Sequence, residues 1–296
     1  MNSYISPMCQ EEKRQHSTIL VPYSLYDCRL PELFQSVPMH WHKEFELNYI
    51  REGTGIFFCG DEHFTACKGD ILVIPPGMMH AAYMDGEPLL RYDAFVFNET
   101  MIGENSNDRC TNNCIRPIIS RNAVLMIRYG NDCREYKDLK DAVEHVITCA
   151  KDNDPVSDLL MKSELMRFLW VLIKNGCVSD DVRTGASLSE MIRPAVAYMT
   201  DNFNTHIVIS DLAGMVHMSD SYFMKCFKNA VGVSAIDYLC QIRINAACEM
   251  LVSGERSVSE IALECGYDNL SNFNKQFKRI AGCTPREYMK ESIETS

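Results

Sequence analysis

Residues 223–238 read FMKCFKNAVGVSAIDY, and residues 273–288 read FNKQFKRIAGCTPREY. The two stretches share the pattern F-x-K-x-F-K-x-x-x-G-x-[S/T]-x-x-x-Y, and they repeat in phase. In each copy the apolar residues recur at i, i+4 and i+7 or i+8, which is one face of an amphipathic helix. A glycine that tolerates positive φ follows, and a serine or threonine then caps the next helix. Each copy therefore predicts a helix that stops at Gly232 or Gly282 and restarts directly afterwards.

The residues ahead of each copy complete a larger unit. VISDLAGMVHMSDSY precedes Phe223, and SVSEIALECGYDNLSN precedes Phe273. Each gives a capping serine, an acidic first turn, a short apolar helix and a break, so each unit is a helix-turn-helix. A helix predicted from Ala235 to Leu251 joins the two units and separates them by about 30 Å. That distance is close to the turn of B-DNA, about 34 Å, at which two recognition helices reach successive major grooves.

Residues 187 to 292 resemble the DNA-binding domain of the AraC/XylS family of bacterial transcription regulators. The resemblance rests on motifs in both units, namely Asp211-Leu212-Ala213, Ser221-Tyr222-Phe223, Gly232, Arg243-Ile244, Glu260-Ile261-Ala262, Gly266-Tyr267, Phe277-Lys278 and Thr284-Pro285. It implies a cytoplasmic regulator that binds double-stranded promoter or operator DNA as a homodimer and contacts RNA polymerase. The effector, the operator and the choice between activation and repression stay open.

The same resemblance places DNA contacts on the second helix of each unit. Lysine can donate to guanine and asparagine can pair with adenine, whereas Lys278, Arg279 and Arg286 lie nearer the flank and suit phosphate. The alternative for Lys225 and Lys275 is a solvated surface lysine. The full predicted set is Ser221, Tyr222, Met224, Lys225, Lys228, Ser271, Asn272, Asn274, Lys275, Lys278, Arg279 and Arg286.

The overall charge at first counts against a nucleic-acid partner. The chain carries −11, and residues 187–296 hold 10 basic against 13 acidic residues. Between Lys275 and Lys290, however, five basic residues stand against a single acidic one. The local patch decides phosphate contact, so we predict DNA binding of modest affinity with a shallow salt dependence.

Composition favours a soluble protein of two domains. The chain has 296 residues, of which 46% are apolar, enough for two cores. It shows neither a signal-peptide pattern nor an apolar run of about 18 residues, so we expect no membrane partner. The 14 cysteines are scattered, as is typical of small buried hydrophobes in a cytosolic chain. A redox or metal role for Cys110 and Cys114, which lie close together, stays open.

The N-terminal hundred residues have the period of strands. From Glu46 to Val96 apolar residues alternate or form short runs between turn signals, which predicts an antiparallel barrel. His40-x-His42-x3-Glu46-x6-Gly53 and Gly69-x5-Pro75-x-Gly77-x2-His80 resemble the paired signatures of the cupin barrel, the usual sensor domain of AraC-type regulators. Met84 replaces the asparagine that often closes the second signature. The predicted fold class is α+β and multi-domain, with a cupin-like barrel, a helical dimerisation segment and an all-α double helix-turn-helix domain.

These motifs also predict a site inside the barrel. Alternation along a strand puts His40, His42 and Glu46 on one face, where His80 could join them. Three imidazoles and one carboxylate suit Zn, Fe, Mn or Ni, but the same side chains could contact an organic effector or only hydrogen-bond in the barrel mouth. Trp41 and Tyr83 could stack on a sugar or belong to the core. The predicted metal ligands are His40, His42, Glu46 and His80, and the predicted effector contacts are His40, Trp41, His42, Glu46, His80 and Tyr83.

A helical period returns from Tyr136 to Lys174, with a break at residues 152–155. The apolar stripe from Leu159 to Ile173 suits packing on the barrel or pairing with its copy, and the family resemblance favours dimerisation. Residues 98–134 have little period and are expected to lead out of the barrel. The predicted domains are the barrel (1–134), the dimerisation segment (135–177), a linker (178–188) and the DNA-binding domain (189–292).

Three functions from different classes fit these features. A ligand-responsive transcription regulator uses all of them and is the prediction. A metal-dependent cupin enzyme with an appended DNA-binding module is the alternative, and it requires turnover of a small molecule. A constitutive DNA-binding protein whose barrel only supports dimerisation is the third, and it requires transcription that no small molecule alters.

Overall fold

The computed structural model describes residues 16–294 apart from 19, 33–35, 87–88, 121–122, 180–186 and 254–255. Strands dominate the N-terminal part. They are β1 (Tyr23–Leu30), β2 (Ser36–His40), β3 (Phe45–Cys59), β4 (Glu62–Cys67), β5 (Ile71–Ile74), β6 (His80–Met84), β7 (Leu90–Phe97), β8 (Val124–Leu125), β9 (Arg128–Tyr129) and β10 (Val178–Ser179).

The long strand β3 organises the N-terminal domain. Its first half pairs with β5 and β7, its second half pairs with β4 and β6, and every pairing is antiparallel. Two layers therefore share β3 and face each other across an apolar interior that contains Ile50, Phe57 and Cys59. We call this structure the barrel and the enclosed space the barrel interior. The predicted antiparallel sensor fold is confirmed.

Helices cover the outer face of the barrel. After the short α1 (Arg116–Ile119) come α2 (Tyr136–Asp152) and α3 (Pro155–Lys174), with the break between them where the sequence predicted it. Residues 98–134 do not simply lead out of the barrel. Met101 and Ile115 pack into the core between barrel and helices, and β9 pairs with β5. Residues 178 and 179, predicted as linker, pair with β8.

Helix α3 is apolar on two faces. Leu165 and Leu169 are buried in the core against the barrel. The opposite face leaves Leu159 and Trp170 73% and 56% exposed. The stripe predicted to pair between subunits is therefore divided, and its Leu165 and Leu169 belong to the intramolecular core.

The described C-terminal residues are helical. The helices are α4 (Leu188–Asp201), α5 (Ile209–Met215), α6 (Asp220–Val231), α7 (Ala235–Ser253), α8 (Val258–Glu264), α9 (Leu270–Ala281) and α10 (Pro285–Glu294). Helices α5 and α6 form the first unit, α8 and α9 form the second unit, and α7 joins them. Gly232 and Gly282 end α6 and α9 with φ of 86° and 82°, as predicted. Among the described helices, none combines the length and apolar character needed to cross a bilayer.

Candidate functional site

Four predicted side chains meet in the barrel interior. His40 ends β2, His42 follows it, Glu46 lies near the start of β3, and His80 begins β6. Strand β2 pairs with β6, so His40 stands opposite His80. All four side chains are buried, and their potential ligand atoms lie within 4.8 Å of one another. We call these four residues the His-Glu cluster.

Backbone carbonyls fix the three imidazoles of the cluster. Nδ1 of His40 and of His80 lies 2.9 and 2.8 Å from the carbonyl oxygen two residues earlier. Nδ1 of His42 lies 3.1 Å from the carbonyl oxygen of Glu44. A carbonyl only accepts, so each Nδ1 donates its proton, and Nε2 is the ring nitrogen that faces the rest of the cluster. Metal-binding histidines are commonly held in this way.

Glu46 lies between two of these rings. Its Oε2 is 3.0 Å from Nε2 of His42 and 3.3 Å from Nε2 of His80. Burial opposes the charged carboxylate, but His80 and His42 outweigh it and hold the pKa of Glu46 well below its usual range. Nε2 of His80 is buried and, although it lies near Glu46, it makes no hydrogen bond among the described residues. The cluster therefore contains a buried polar atom without a hydrogen bond beside a charged carboxylate, and a hydroxyl-rich ligand or a cation would fit it.

Two further buried polar side chains border the cluster. The ring centroid of His16 lies 5.0 Å from that of His42, and its Nδ1 is 2.9 Å from the hydroxyl of Tyr26. Asn48 is 1% exposed, and its Oδ1 makes no hydrogen bond among the described residues. Asn48 shares its strand face with Glu46, so alternation could have identified it. Nothing in the sequence relates His16 to the motifs.

Trp41 and Tyr83 lie apart from the cluster. They contact the DNA-binding domain, where the guanidinium of Arg193 lies 5.1 Å from the Trp41 ring centroid. The Tyr83 hydroxyl donates to the carbonyl of Val231 over 3.0 Å. The structure brings His40, His42, Glu46 and His80 together but places these two aromatic rings on the other side of the barrel wall. Their contact with an effector stays a prediction.

The second helix of each unit presents its polar face to solvent. Phe223 and Phe227 of α6 and the equivalent phenylalanines of α9 are buried. Met224 is half-buried, whereas the other predicted DNA contacts are exposed: Ser221, Tyr222, Lys225, Lys228, Ser271, Asn272, Asn274, Lys275, Lys278, Arg279 and Arg286. Arg279 donates to Asp237 over 2.9 Å. Its predicted phosphate contact requires that exposed pair to open, at a cost of about 0–1 kcal/mol.

Comparisons with known proteins match both the N-terminal and the C-terminal part of the chain. A family model described as an AraC-like ligand binding domain matches residues 34–169, and one described as a helix-turn-helix domain matches residues 212–291. The raffinose operon transcriptional regulatory protein RafR of Pediococcus pentosaceus is 26% identical over 83% of this chain and 84% of its own. The lactose operon transcription activator of Staphylococcus xylosus is 24% identical over 82% of each. The melibiose operon regulatory protein of Escherichia coli (strain K12) is 19% identical over 96% and 95%.

Proposed function

Because the chain belongs to the AraC family of transcription regulators, we propose that it controls a carbohydrate operon in response to a saccharide bound in the barrel interior. The relatives regulate raffinose, lactose and melibiose operons. They are regulators and not enzymes, so the barrel serves as a sensor and the cupin-enzyme alternative is set aside. The observation that supports a saccharide is the buried Glu46 carboxylate together with two buried polar atoms, Nε2 of His80 and Oδ1 of Asn48, that make no hydrogen bond among the described residues.

Sugar hydroxyls both donate and accept, so they suit a charged carboxylate beside these two polar atoms. The Glu46 carboxylate can accept from two neighbouring hydroxyls of a sugar, and Nε2 of His80 can accept from a third. Asn48 adds an amide oxygen on the same strand face. Hydrogen bonds to a charged group contribute about 1.5–3 kcal/mol each, so the carboxylate is expected to carry most of the polar affinity.

Calorimetric titration of the full chain with raffinose, lactose and melibiose tests this function. We expect at least one of these sugars to bind, and Glu46→Gln to weaken it by about 10- to 100-fold. Glu62→Gln, at an exposed position on β4, serves as the matched control and should leave affinity unchanged. An operator selected from random duplexes then shows whether the bound sugar alters DNA affinity. DNA binding that none of these sugars changes would favour the constitutive regulator.

A transition metal in the His-Glu cluster is the second candidate. The observation that favours it is the set of three Nδ1 contacts to carbonyls, which leaves three Nε2 acceptors beside one carboxylate. Three imidazoles and a carboxylate form a donor set that suits Zn, Fe, Mn or Ni. Bound metal would supply a positive centre to which sugar hydroxyls could also bind.

Metal analysis of the purified full chain decides between the candidates. If the cluster holds a metal, the protein should carry near-stoichiometric metal, and His42→Ala should lose most of it. His145→Ala removes an exposed histidine of α2 and should lose none. Metal-free protein that still binds a sugar would assign the cluster to effector contacts alone.

We also propose that the protein acts as a homodimer through the exposed face of α3. That face carries Val156, Leu159, Leu160, Met166 and Trp170, all of which are large apolar side chains open to solvent. Residues at these spacings form one helical stripe, and an exposed stripe of this kind marks an interaction surface. Burial of one such leucine contributes about 1.5–3 kcal/mol. Because each leucine occurs in both subunits of a symmetric dimer, its contribution to dimer stability is doubled.

Light scattering of charge variants tests the dimer. Leu159→Asp should weaken the dimer by at least about 3 kcal/mol while the fold is kept. Leu165→Asp should unfold the helical segment instead, because Leu165 is 1% exposed. Lys137→Asp on the exposed side of α2 is the control and should keep dimer mass. A Leu159→Asp protein of unchanged dimer mass would move the dimer interface elsewhere.

Double-stranded DNA is the expected partner of both units, and RNA polymerase is the partner that the family resemblance implies. The exposed polar faces of α6 and α9 are joined by α7, whose 19 residues span about 29 Å. Two units at that separation can reach successive major grooves. We expect a protein that acts on bacterial promoter DNA to work in the cytoplasm.

A further inference from the structure

The cores of the two units meet in the middle of α7. Ile242 is buried in the core of the first unit, and Ile244 is buried in the core of the second. Arg243 lies between them, so a single helix of 19 residues carries one unit at each end. The length of α7 determines how far apart the units lie. It does not determine the angle between them, because long helices curve and a bend at Arg243 would change that angle.

Arg243 joins α7 to the loop between α4 and α5, on the side of the first unit. Its Nε donates to the carbonyl of Phe203 over 2.7 Å, and its Nη2 donates to the carbonyl of Thr205 over 2.8 Å. The guanidinium also lies 5.4 Å from the ring centroid of Tyr267, in the turn between α8 and α9 of the second unit. Phe203 packs against the cores of both units. One half-buried side chain of the connecting helix therefore contacts both units.

The internal repeat shows that the turn of the second unit is shaped by this contact. His217 and Gly266 hold corresponding positions in the turns of the two units, and both have positive φ, 55° and 78°. His217 is exposed and carries a side chain there, so the turn itself does not require glycine. A Cβ at Gly266 would lie 2.9 Å from the carbonyl oxygen of Phe203 and 3.0 Å from the carbonyl carbon of Asn204. The close approach of the α4–α5 loop therefore explains the glycine.

This contact lies beside α7 and forms a second connection between the units. We call its residues the brace: Phe203, Thr205, Arg243, Gly266 and Tyr267. A bend of α7 in one direction pulls the guanidinium from its two carbonyls, and a bend in the other direction pushes the second unit's turn into the loop. Lysine could not replace the arginine, because its ammonium lacks the planar fork that reaches both acceptors at once.

We propose that the brace determines the spacing that the protein accepts between the two DNA segments read by α6 and α9, with Arg243 as the positioning residue. On B-DNA one additional base pair moves the next segment by about 3.4 Å and turns it by about 35° around the duplex axis. Two units held at a fixed angle match one such arrangement, whereas units that pivot about α7 match several. This inference rests on the DNA-binding part of the proposed function, in that both units bind one duplex.

Binding to duplexes of altered spacing tests this role. An operator is selected from random duplexes with the full chain, and one base pair is then inserted or removed between the segments that α6 and α9 protect. We expect wild type to bind either altered duplex at least about 30-fold more weakly than the parent duplex, because the brace lets only one unit bind fully.

In Arg243→Lys this ratio should fall below about fivefold, because the units can pivot. Affinity for the parent duplex should fall about three- to tenfold, since the units are no longer preorganised. The ratio compares duplexes with a single protein preparation, so an inactive fraction of the variant does not affect it.

Arg256→Lys is the matched control. Arg256 donates to Glu264 over 2.7 Å within the second unit, so this variant should keep the wild-type ratio. Hydrogen exchange of the free full chain supplies a second readout. The N–H of Thr205 donates to the carbonyl of Asn202 within the α4–α5 loop, and exchange of this loop should accelerate about tenfold in Arg243→Lys. Helices α6 and α9 should keep wild-type protection, which separates loosening of the brace from unfolding of a unit.

Three results would overturn the role of the brace. If Arg243→Lys loses affinity by one factor on all the duplexes, Arg243 supports the fold and does not determine the spacing. If wild type binds all the duplexes alike, the angle between the units is not fixed. If exchange of the loop is unchanged in Arg243→Lys, the guanidinium does not hold it. A failure to select any operator would contradict DNA binding itself and this inference with it. No sugar is used, so the response to saccharides is tested separately by the calorimetric titrations.

Discussion

Substitution of Gly232 by alanine separates two costs that coincide at the end of α6. Gly232 takes φ of +86°, and a Cβ built there lies 2.6 Å from two ring carbons of Phe58 in β3. Gly282 takes φ of 82° at the end of α9, within a unit whose described core holds no barrel residue. Gly282→Ala therefore reports the cost of the backbone conformation alone. Gly232→Ala reports that cost together with the clash between the added Cβ and the Phe58 ring of the barrel.

The expected sizes follow from these geometries. An alanine in the left-handed region costs about 1–2 kcal/mol, reduced by the smaller freedom of the unfolded chain, so Gly282→Ala should cost about 1 kcal/mol. Overpacking against Phe58 adds about 1–3 kcal/mol, so Gly232→Ala should cost about 2–4 kcal/mol. Separation of the barrel from the first unit would also remove the clash. The extra cost of Gly232→Ala over Gly282→Ala therefore equals the smaller of two quantities, the strain at Phe58 and the free energy that holds the barrel and the first unit together.

Hydrogen exchange is the suitable assay, because a two-domain chain does not unfold in one step and exchange reports the opening of each helix separately. The opening free energy of α6 is compared between wild type and Gly232→Ala, and that of α9 between wild type and Gly282→Ala. Phe58→Leu should reduce the cost of Gly232→Ala toward that of Gly282→Ala. Equal costs at the two glycines, or a cost at Gly232 that Phe58→Leu leaves unchanged, would refute the proposed contact.

Two further predictions concern the DNA-binding domain. Lys225→Ala and Asn274→Ala should each cost about 1–3 kcal/mol on a selected operator and less on a scrambled duplex, whereas Lys278→Ala should weaken both alike and lower the salt slope by about one. Titrations at several salt concentrations measure this, and equal losses on both duplexes for Lys225→Ala and Asn274→Ala would contradict base reading. Ser257→Ala should destabilise α8 by about 1 kcal/mol at neutral pH. Its capping-box partner Glu260 has a pKa lowered from 4.5 by the Ser257 hydroxyl and backbone N–H, so the carboxylate's part of the cap is present above pH 4.5 and is lost as the pH falls through the lowered value. The bond from the Glu260 N–H to the Ser257 hydroxyl does not titrate, so the loss in Ser257→Ala should shrink in acid without vanishing. A loss of the same size at both pH values would contradict this explanation.

The elements that local chemistry decides could be predicted from the sequence. Helix α6 runs from Asp220 to Val231, because a polar start, an apolar face and a terminal glycine are all local signals. The cluster could be predicted for a similar reason. Alternation assumed from His40 to Glu46 and a second motif at β6 predicted that His40, Glu46 and His80 meet, although His40 ends β2 and Glu46 lies on β3.

The contacts between domains could not be predicted in this way. Asp61 caps a helix 127 residues later in the chain, and no local pattern pairs the two. Helix α3 is apolar on two opposite faces, so its sequence did not specify which leucines would face the barrel. Trp41 is different. It lies between His40 and His42, so the alternation that put both histidines inside already indicated that its ring would point outward.

The duplicated unit shows how one residue pattern can fold alike in two different surroundings. The repeated phenylalanines, glycine and tyrosine ring specify the fold of each unit, whereas the tyrosine hydroxyl bonds to different partners, the carbonyl of Met39 from Tyr238 and the side chain of Cys248 from Tyr288. In the first unit the barrel lies opposite, and Tyr238 and Gly232 meet Met39 and Phe58. The second unit is joined to the barrel only through α7 and the first unit, as far as the described contacts extend. Strands β2 and β6, which carry His40 and His80, therefore contact the first unit directly, whereas the described contacts of the second unit with the rest of the chain run through α7 and the first unit.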